Sequence, residues 1–198
     1  MKRALLLSGG MDSVAIAYWK RPDLAITIDY GQRPAAGEVR AATAVCAALG
    51  IQHQVICVDI ASLGSGDLSD RPHAEGAPAS EWWPYRNQFL LTVAAMRCHS
   101  ESATRLMIGA LRTDGFHADG TPGFIEQINS LFALQEGELK VEAPGIEFDA
   151  VELVRASKIP QEVLAWSHSC HVSEYACGTC RGCHKHYNAM ESLYGYSY

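Results

Sequence analysis

LLLSGGMDSVAIAY, residues 5–18, opens on apolar residues too few for a helix, turns at Ser-Gly-Gly and continues with apolar residues at helical spacing. The reading is strand, tight turn, helix, with a buried strand at 4–7 and a helix at 12–20. Glycines let the backbone approach an oxyanion closely, and a helix start offers N–H groups and a positive dipole end. Ser8 and Ser13 add hydroxyl donors. Phosphate is the anion such a turn suits; a simple Ser or Asp helix cap is the plainer alternative. The stretch has neither G-x-x-x-x-G-K-[ST] nor G-x-G-x-x-G spacing, so it is not one of the usual glycine-rich phosphate motifs.

Outward from this turn the same rhythm repeats. LAITIDYGQ (24–32) reads as a second buried strand, 36–50 as a helix closed by Gly50, and HQVICVDI (53–60) as a third strand. A β-α-β-α-β order predicts a three-layer, doubly wound α/β fold with a mainly parallel sheet. Residues 61–81 are rich in Gly, Ser, Pro and Ala without period and read as a loop or lid. A helix at 86–100, a strand at 105–110, a polar loop at 112–123 and helices at 124–135 and 149–157 follow, Asp149 capping the last. In such a sheet ligands bind outside the carboxyl ends of the strands, which groups Ser8, Gly9, Gly10, Asp12 and Ser13 with Asp29, Tyr30, Gly31 and Gln32.

The 198 residues suffice for one domain with a sizeable core. No apolar run approaches the roughly 18 residues that span a bilayer. The short apolar stretch at 4–7 is not followed by an A-x-A-like site, so a cytoplasmic protein is expected, without membrane attachment. The net charge of −6 argues against a nucleic-acid partner. Of seven cysteines, Cys46, Cys57 and Cys98 read as packing residues, whereas Cys170, Cys177, Cys180 and Cys183 form C-x6-C-x2-C-x2-C. That spacing can close a tetrahedral thiolate site, with Gly178 and Gly182 permitting tight knuckle turns. Zinc is the expected ion and an iron–sulfur cluster the rival, although no fourth Cys or Cys-Pro follows as in the bacterial ferredoxin run. A closed site of this kind would staple the tail, 166–198, to the domain at 1–165.

SGGMDS resembles the SGG-x-DS pyrophosphate loop of the N-type ATP pyrophosphatases. DYGQR (29–33), PYRNQFLLTVAA (84–95), FIEQIN (124–129) and the terminal cysteines resemble, in order, the pattern of the 7-cyano-7-deazaguanine synthase (QueC) family over residues 4–190. The resemblance implies an adenine nucleotide alpha hydrolase-like fold, ATP and Mg²⁺ at the first turn with Asp12 as the metal-bridging side chain, a structural zinc and a homodimer. It implies an ATP-dependent ligase that adenylates 7-carboxy-7-deazaguanine and uses ammonia to reach the amide and the nitrile. Ser13, Asp12 and Arg86 would be catalytic. Ser8, Gly9, Gly10, Asp12, Ser13, Asp29, Tyr30, Gln32, Arg86 and Asn87 would hold the nucleotide, and Asp114 and Asp119 the substrate. Aligning AWSHSC on the family pattern puts His168 where the first cysteine usually sits, so Cys170 and His168 both stand as the first metal ligand.

Two departures concern substrate handling. Ala150 stands where the family has Lys, with Lys158 roughly 12 Å further along the helix. Ala118-Asp119-Gly120 replaces Pro-Asp-Cys. They keep open a QueC-like paralogue of anti-phage defence clusters that passes the same acid to a protein amine. A non-catalytic ATP-binding subunit is a third reading, and transfer-RNA thiolation ranks lower for an acidic chain. Trp82, Trp83 and Tyr85 read equally as a base-stacking platform or a clamp for the loop, and His184, Lys185 and His186 as a solvated basic tail.

Overall fold

In a computed structural model, described over residues 1–115, 117–135 and 137–195, the strands are β1 (Lys2–Leu6), β2 (Leu24–Asp29), β3 (Gln52–Cys57), β4 (Ala103–Met107) and β5 (Lys140–Glu142). The helices are α1 (Met11–Lys20), α2 (Ala35–Leu49), α3 (Arg86–Ser100), α4 (Pro122–Phe132), α5 (Ala150–Ser157), α6 (Gln161–Leu164) and α7 (Arg181–Tyr194). The five strands pair in parallel in the order β3-β2-β1-β4-β5. The chain winds outward from β1 to β3, then returns to β4 on the other side of β1. The order therefore reverses between β1 and β4, and that switch point is where a crevice for ligand opens.

Both faces of the sheet are covered. Leu5, Leu7 and Ala25 pack under α1, α2, α5 and α7 with Val14, Val45, Leu153 and Met190. Ile26, Leu106 and Val141 pack under α3 and α4 with Leu91, Cys98, Ile128 and Phe132. Five consecutive buried residues in β2 reflect a strand covered on both sides. The doubly wound architecture is the one the sequence rhythm predicts, and Gly50 and Asp149 cap their helices as expected, Asp149 through a reciprocal bond pair with Glu152.

Several details differ. Strand β3 ends at Cys57, which is exposed at the sheet edge and so is not a packing residue; Cys46 and Cys98 are. Strand β5, too short to show a period, gains order from Asn129 of α4. The Asn129 Nδ2 donates to the Val141 carbonyl at 2.9 Å and its Oδ1 accepts from the Val141 N–H at 2.7 Å. This gives an outer strand the partner that a sixth strand would supply. Residues 61–81 contain two 3-10 turns, Ala61–Leu63 and Gly66–Leu68, and bury Leu68 against the sheet, so much of the expected lid is packed cover. Helix α7 was not legible beside the cysteines; Ala189 and Met190 carry it into the core. Phe116 of the polar loop and residues 196–198 of the tail lie outside the described residues. Among the described residues no helix is long and apolar enough to cross a membrane.

Candidate active site

The site begins at the turn between β1 and α1. Gly10, the residue before α1, has extended backbone and no side chain caps the helix. Ser13 instead donates to the Gly10 carbonyl at 2.9 Å, and its hydroxyl lies 3.2 Å from that of Ser8. Gly9 has φ +78°, and a Cβ there would sit 2.7 Å from the Glu38 carbonyl oxygen, so only glycine lets α2 approach this turn. The helix start opens onto a cavity of about 310 Å³, at the lower end of small-molecule sites.

Two acids and a lysine converge on that cavity. The Lys185 Nζ donates to Asp12 Oδ2 at 2.9 Å and lies 3.7 Å from Asp114 Oδ1. The other oxygen of Asp12, Oδ1, is buried and makes no hydrogen bond. Burial pushes the Asp12 carboxyl above its ordinary range, against the pull of Lys185. An orphaned carboxylate oxygen beside an uncapped helix start fits a hard divalent cation carrying phosphate oxygens. Asp114 also accepts the Leu111 N–H through Oδ2 at 3.0 Å.

A second wall comes from β2 and its following turn. Gln32 is buried with its amide committed to the turn: it accepts from the Tyr30 N–H at 2.8 Å and donates to Glu38 Oε2 at 2.7 Å and the Ile28 carbonyl at 3.2 Å. Burial pushes the Tyr30 phenol up, opposed by the Arg86 guanidinium, and Trp83 packs edge-on against the same ring, 5.2 Å between centroids. Trp83 therefore clamps the loop, whereas Tyr85 is exposed. Burial also pushes Glu38 from 4.5 to about 7, partly offset by Gln32 and Arg86. The sign follows. The folded state holds a proton that the unfolded chain has already released, so stability is fully present below about pH 4.5 and is lost as pH rises through 7. After allowance for solvent near the cavity, Glu38→Gln is expected to remove about 1–2 kcal/mol of that loss. Denaturant melts at about pH 5 and about pH 8 check it, and an unchanged difference between them would rule it out.

Of the residues expected from sequence, Ser8, Gly10, Asp12, Ser13, Tyr30, Arg86, Asn87 and Asp114 line this one cavity. Gly9, Asp29, Gln32 and Asp119 stand behind it. Asp29 accepts the Gly31 N–H, and Asp119 binds the start of α3, accepting the Asn87 N–H at 3.2 Å. Ala150 is buried in the core beside Leu111 and Leu153.

The cavity also has walls that sequence reading missed, Glu38, Glu81, His117 and Arg181, and two that it read otherwise, His168 as a possible metal ligand and Lys185 as part of a solvated tail. Glu81 is 8 % exposed, with Arg181 donating to its Oε1 at 2.7 Å and the His117 Nε2 3.3 Å away. Of the three residues read as a solvated basic tail, His184 is exposed as expected, Lys185 is partly exposed but paired to Asp12, and His186 is buried. The signal was present: Arg181 and Lys185 are four apart and share one helix face.

The four cysteine sulfurs lie within 4.8 Å of one another, with Cys177–Cys183 and Cys170–Cys180 at 3.9 Å. A tetrahedral ion with 2.3 Å bonds to sulfur sets its ligands about 3.8 Å apart. Burial works against ionisation, but donation from Thr179 and from the Cys180 N–H holds the Cys177 thiol down to about 6. His168 lies outside the group: its N–H donates to the Gly9 carbonyl at 2.8 Å and its Nε2 lies 3.0 Å from the Ser173 carbonyl oxygen. Gly178 takes φ +78° in the knuckle, while Gly182 is helical, where a Cβ would fall 1.9 Å from the Ser169 carbonyl oxygen.

A doubly wound parallel sheet with an uncapped Ser-Gly-Gly helix start at its switch point and a cysteine knuckle beyond it defines an adenine nucleotide alpha hydrolase-like protein. The family model described as "Queuosine biosynthesis protein QueC" matches residues 2–194, and the chain belongs to the QueC family. It is 31 % identical to the 7-cyano-7-deazaguanine synthase of Methanosarcina barkeri, over 97 % of this chain and 94 % of that protein. Identity to the synthase of Desulforudis audaxviator is 32 %, over 98 % and 99 %. Among solved structures the U34-tRNA thiolase NcsA from Methanococcus maripaludis, with its [4Fe-4S] cluster, shares the fold at TM-score 0.54 and 17 % identity. The match covers 98 % of this chain and 66 % of that one.

Proposed function

We propose that this chain is an ATP-dependent carbon–nitrogen ligase that converts 7-carboxy-7-deazaguanine to 7-cyano-7-deazaguanine. The observation that carries the reading is the orphaned Asp12 oxygen beside the uncapped start of α1, in the cavity that Arg86 and Asn87 also line. The substrate class follows from the names of the QueC relatives. A carboxylate oxygen of the acid attacks the α-phosphorus of ATP, and pyrophosphate departs with the electron pair of the broken P–O bond. Ammonia then adds to the acyl carbon, loses a proton and expels AMP, leaving the amide. A second ATP activates the amide oxygen in the same way, and loss of two protons and AMP gives the nitrile.

Ser8, Ser13 and the backbone of α1's first turn hold phosphate oxygens, and Arg86 offsets negative charge that grows during transfer. Asp12 holds Mg²⁺, which when bound neutralises phosphate charge. Cys170, Cys177, Cys180 and Cys183 hold zinc: their separations suit one four-coordinate ion, whereas a cluster that gives each thiolate its own iron needs them farther apart.

Mass spectrometry of products from the protein with ATP, Mg²⁺, the deazaguanine acid and ammonium tests this. AMP together with the nitrile is expected. No AMP overturns the reading, and AMP with a mass added to a protein amine keeps adenylation but replaces ammonia as the acceptor.

A further inference from the structure

Lys185 sits 173 residues along the chain from Asp12 yet donates to it at 2.9 Å. It projects from the second turn of α7, whose next turns are fixed by the buried Ala189 and Met190. Its side chain is 43 % exposed, it lines the cavity, and it lies between Asp12 of the nucleotide turn and Asp114 of the loop after β4. As a structural ion pair this would be a poor design. A partly exposed pair contributes about 0–1 kcal/mol, and this one leaves Asp12 Oδ1 buried without a partner. The remaining permanent cations of the cavity wall stand elsewhere: Arg181 is on Glu81, and Arg86 lies against Tyr30 and Glu38. Among the described residues that line the cavity, Lys185 is the lysine, and its ammonium is hydrogen-bonded to Asp12 of the nucleotide turn.

We infer that Lys185 is an anion-binding residue of this site, holding Asp12 and Asp114 until ligand arrives and then transferring its ammonium to an anionic oxygen at the junction of nucleotide and acid. With a divalent cation bound beside the nucleotide, Asp12 would pair with that charge through its unpartnered Oδ1, and the Lys185 ammonium would be released from it. A four-carbon stem on a fixed helix can make that short move without remodelling the fold. The inference rests on the adenylating reading proposed above. The oxygen belongs either to the phosphate chain or to the carboxylate of the acid, and both offer the same chemistry to an ammonium.

The test compares Lys185→Met and Lys185→Arg with the wild type. Two measurements are made: calorimetric binding of Mg²⁺ with the non-hydrolysable α,β-methylene analogue of ATP, and the kcat and KM of AMP formation. Lys185→Met is expected to lower kcat for AMP about 100-fold, with Lys185→Arg recovering at least a tenth of the wild-type rate. A matching loss of analogue affinity places the oxygen on the nucleotide, and a rise in KM for the acid alone places it on the carboxylate. A folded Lys185→Met with kcat, KM and analogue affinity within threefold of wild type overturns the inference. If Lys185→Met does not fold, Lys185→Arg with wild-type constants supports the inference and an inactive but folded Lys185→Arg overturns it. If the wild type makes no AMP the adenylating reading fails by itself. Analogue binding then decides the lysine: a loss of about tenfold or more upholds it and unchanged affinity overturns it.

Discussion

Replacing Asp12 by asparagine is expected to lower AMP formation by about 10²–10³-fold, the scale of removing one pre-organised charge from a site, while leaving the melting temperature unchanged or higher. The two halves of this outcome have one cause. Asp12 is 19 % exposed at its side chain and one of its oxygens has no hydrogen-bond partner, so the folded chain carries a carboxylate it has not satisfied. Burying a charge without full compensation costs stability, and asparagine removes that cost along with the seat proposed for Mg²⁺. Lys185 keeps Asp114, 3.7 Å away, when Asp12 loses its charge. Thermal unfolding measured beside the AMP assay distinguishes this from a structural role. A variant that melts several degrees lower and loses activity in proportion would make Asp12 a fold anchor, and one that keeps wild-type turnover would remove it from the site.

What could be read from sequence and what could not divide along the range of the interactions. The turn at Ser8–Ser13, the strand pattern of β2 and the Asp149 cap are local: a few neighbouring residues decide them, and the sequence displays those residues side by side. Strand β5 was hidden because three residues carry no period, and its order comes from Asn129 eleven or more residues earlier in the chain. The roles of Glu81 and Lys185 were hidden for the same reason at longer range. Glu81 reads as one more polar residue of a loop until α7 brings Arg181 against it. Gln32 shows the converse: its place in a ligand-like motif was legible, but its amide is spent on Tyr30, Ile28 and Glu38, so it stiffens the wall rather than faces the cavity. Asp119 behaves likewise at the start of α3. Sequence spacing identifies which residue types gather at a site, and only packing decides which of them turn inward.

Removal of the zinc proposed for the four cysteines is expected to produce the largest loss of stability. Cys180, the residue before α7, accepts the Cys183 N–H through its own sulfur, so the knuckle is also the helix cap. The same helix carries Met190 into the core under α1 and α5, and Arg181 and Lys185 into the cavity. Without an ion, four sulfurs must stay within 4.8 Å of one another with three of them buried, and thiolates at that distance repel one another with no cation between them. A structural zinc site contributes its binding energy directly to folding. Even half of the usual value gives about 5 kcal/mol or more, or a fall of about 10–20 °C in melting temperature for a chain of this size. Chelation or Cys183→Ser is expected to show that fall, to lower AMP formation by about 100-fold or more as Arg181 and Lys185 leave the cavity wall, and to leave one fewer zinc per chain by elemental analysis. Zinc restores the chelated wild type. A melting temperature that ignores chelation, or bound iron with visible charge-transfer absorption in place of one zinc per chain, would show that the knuckle does not fold around zinc.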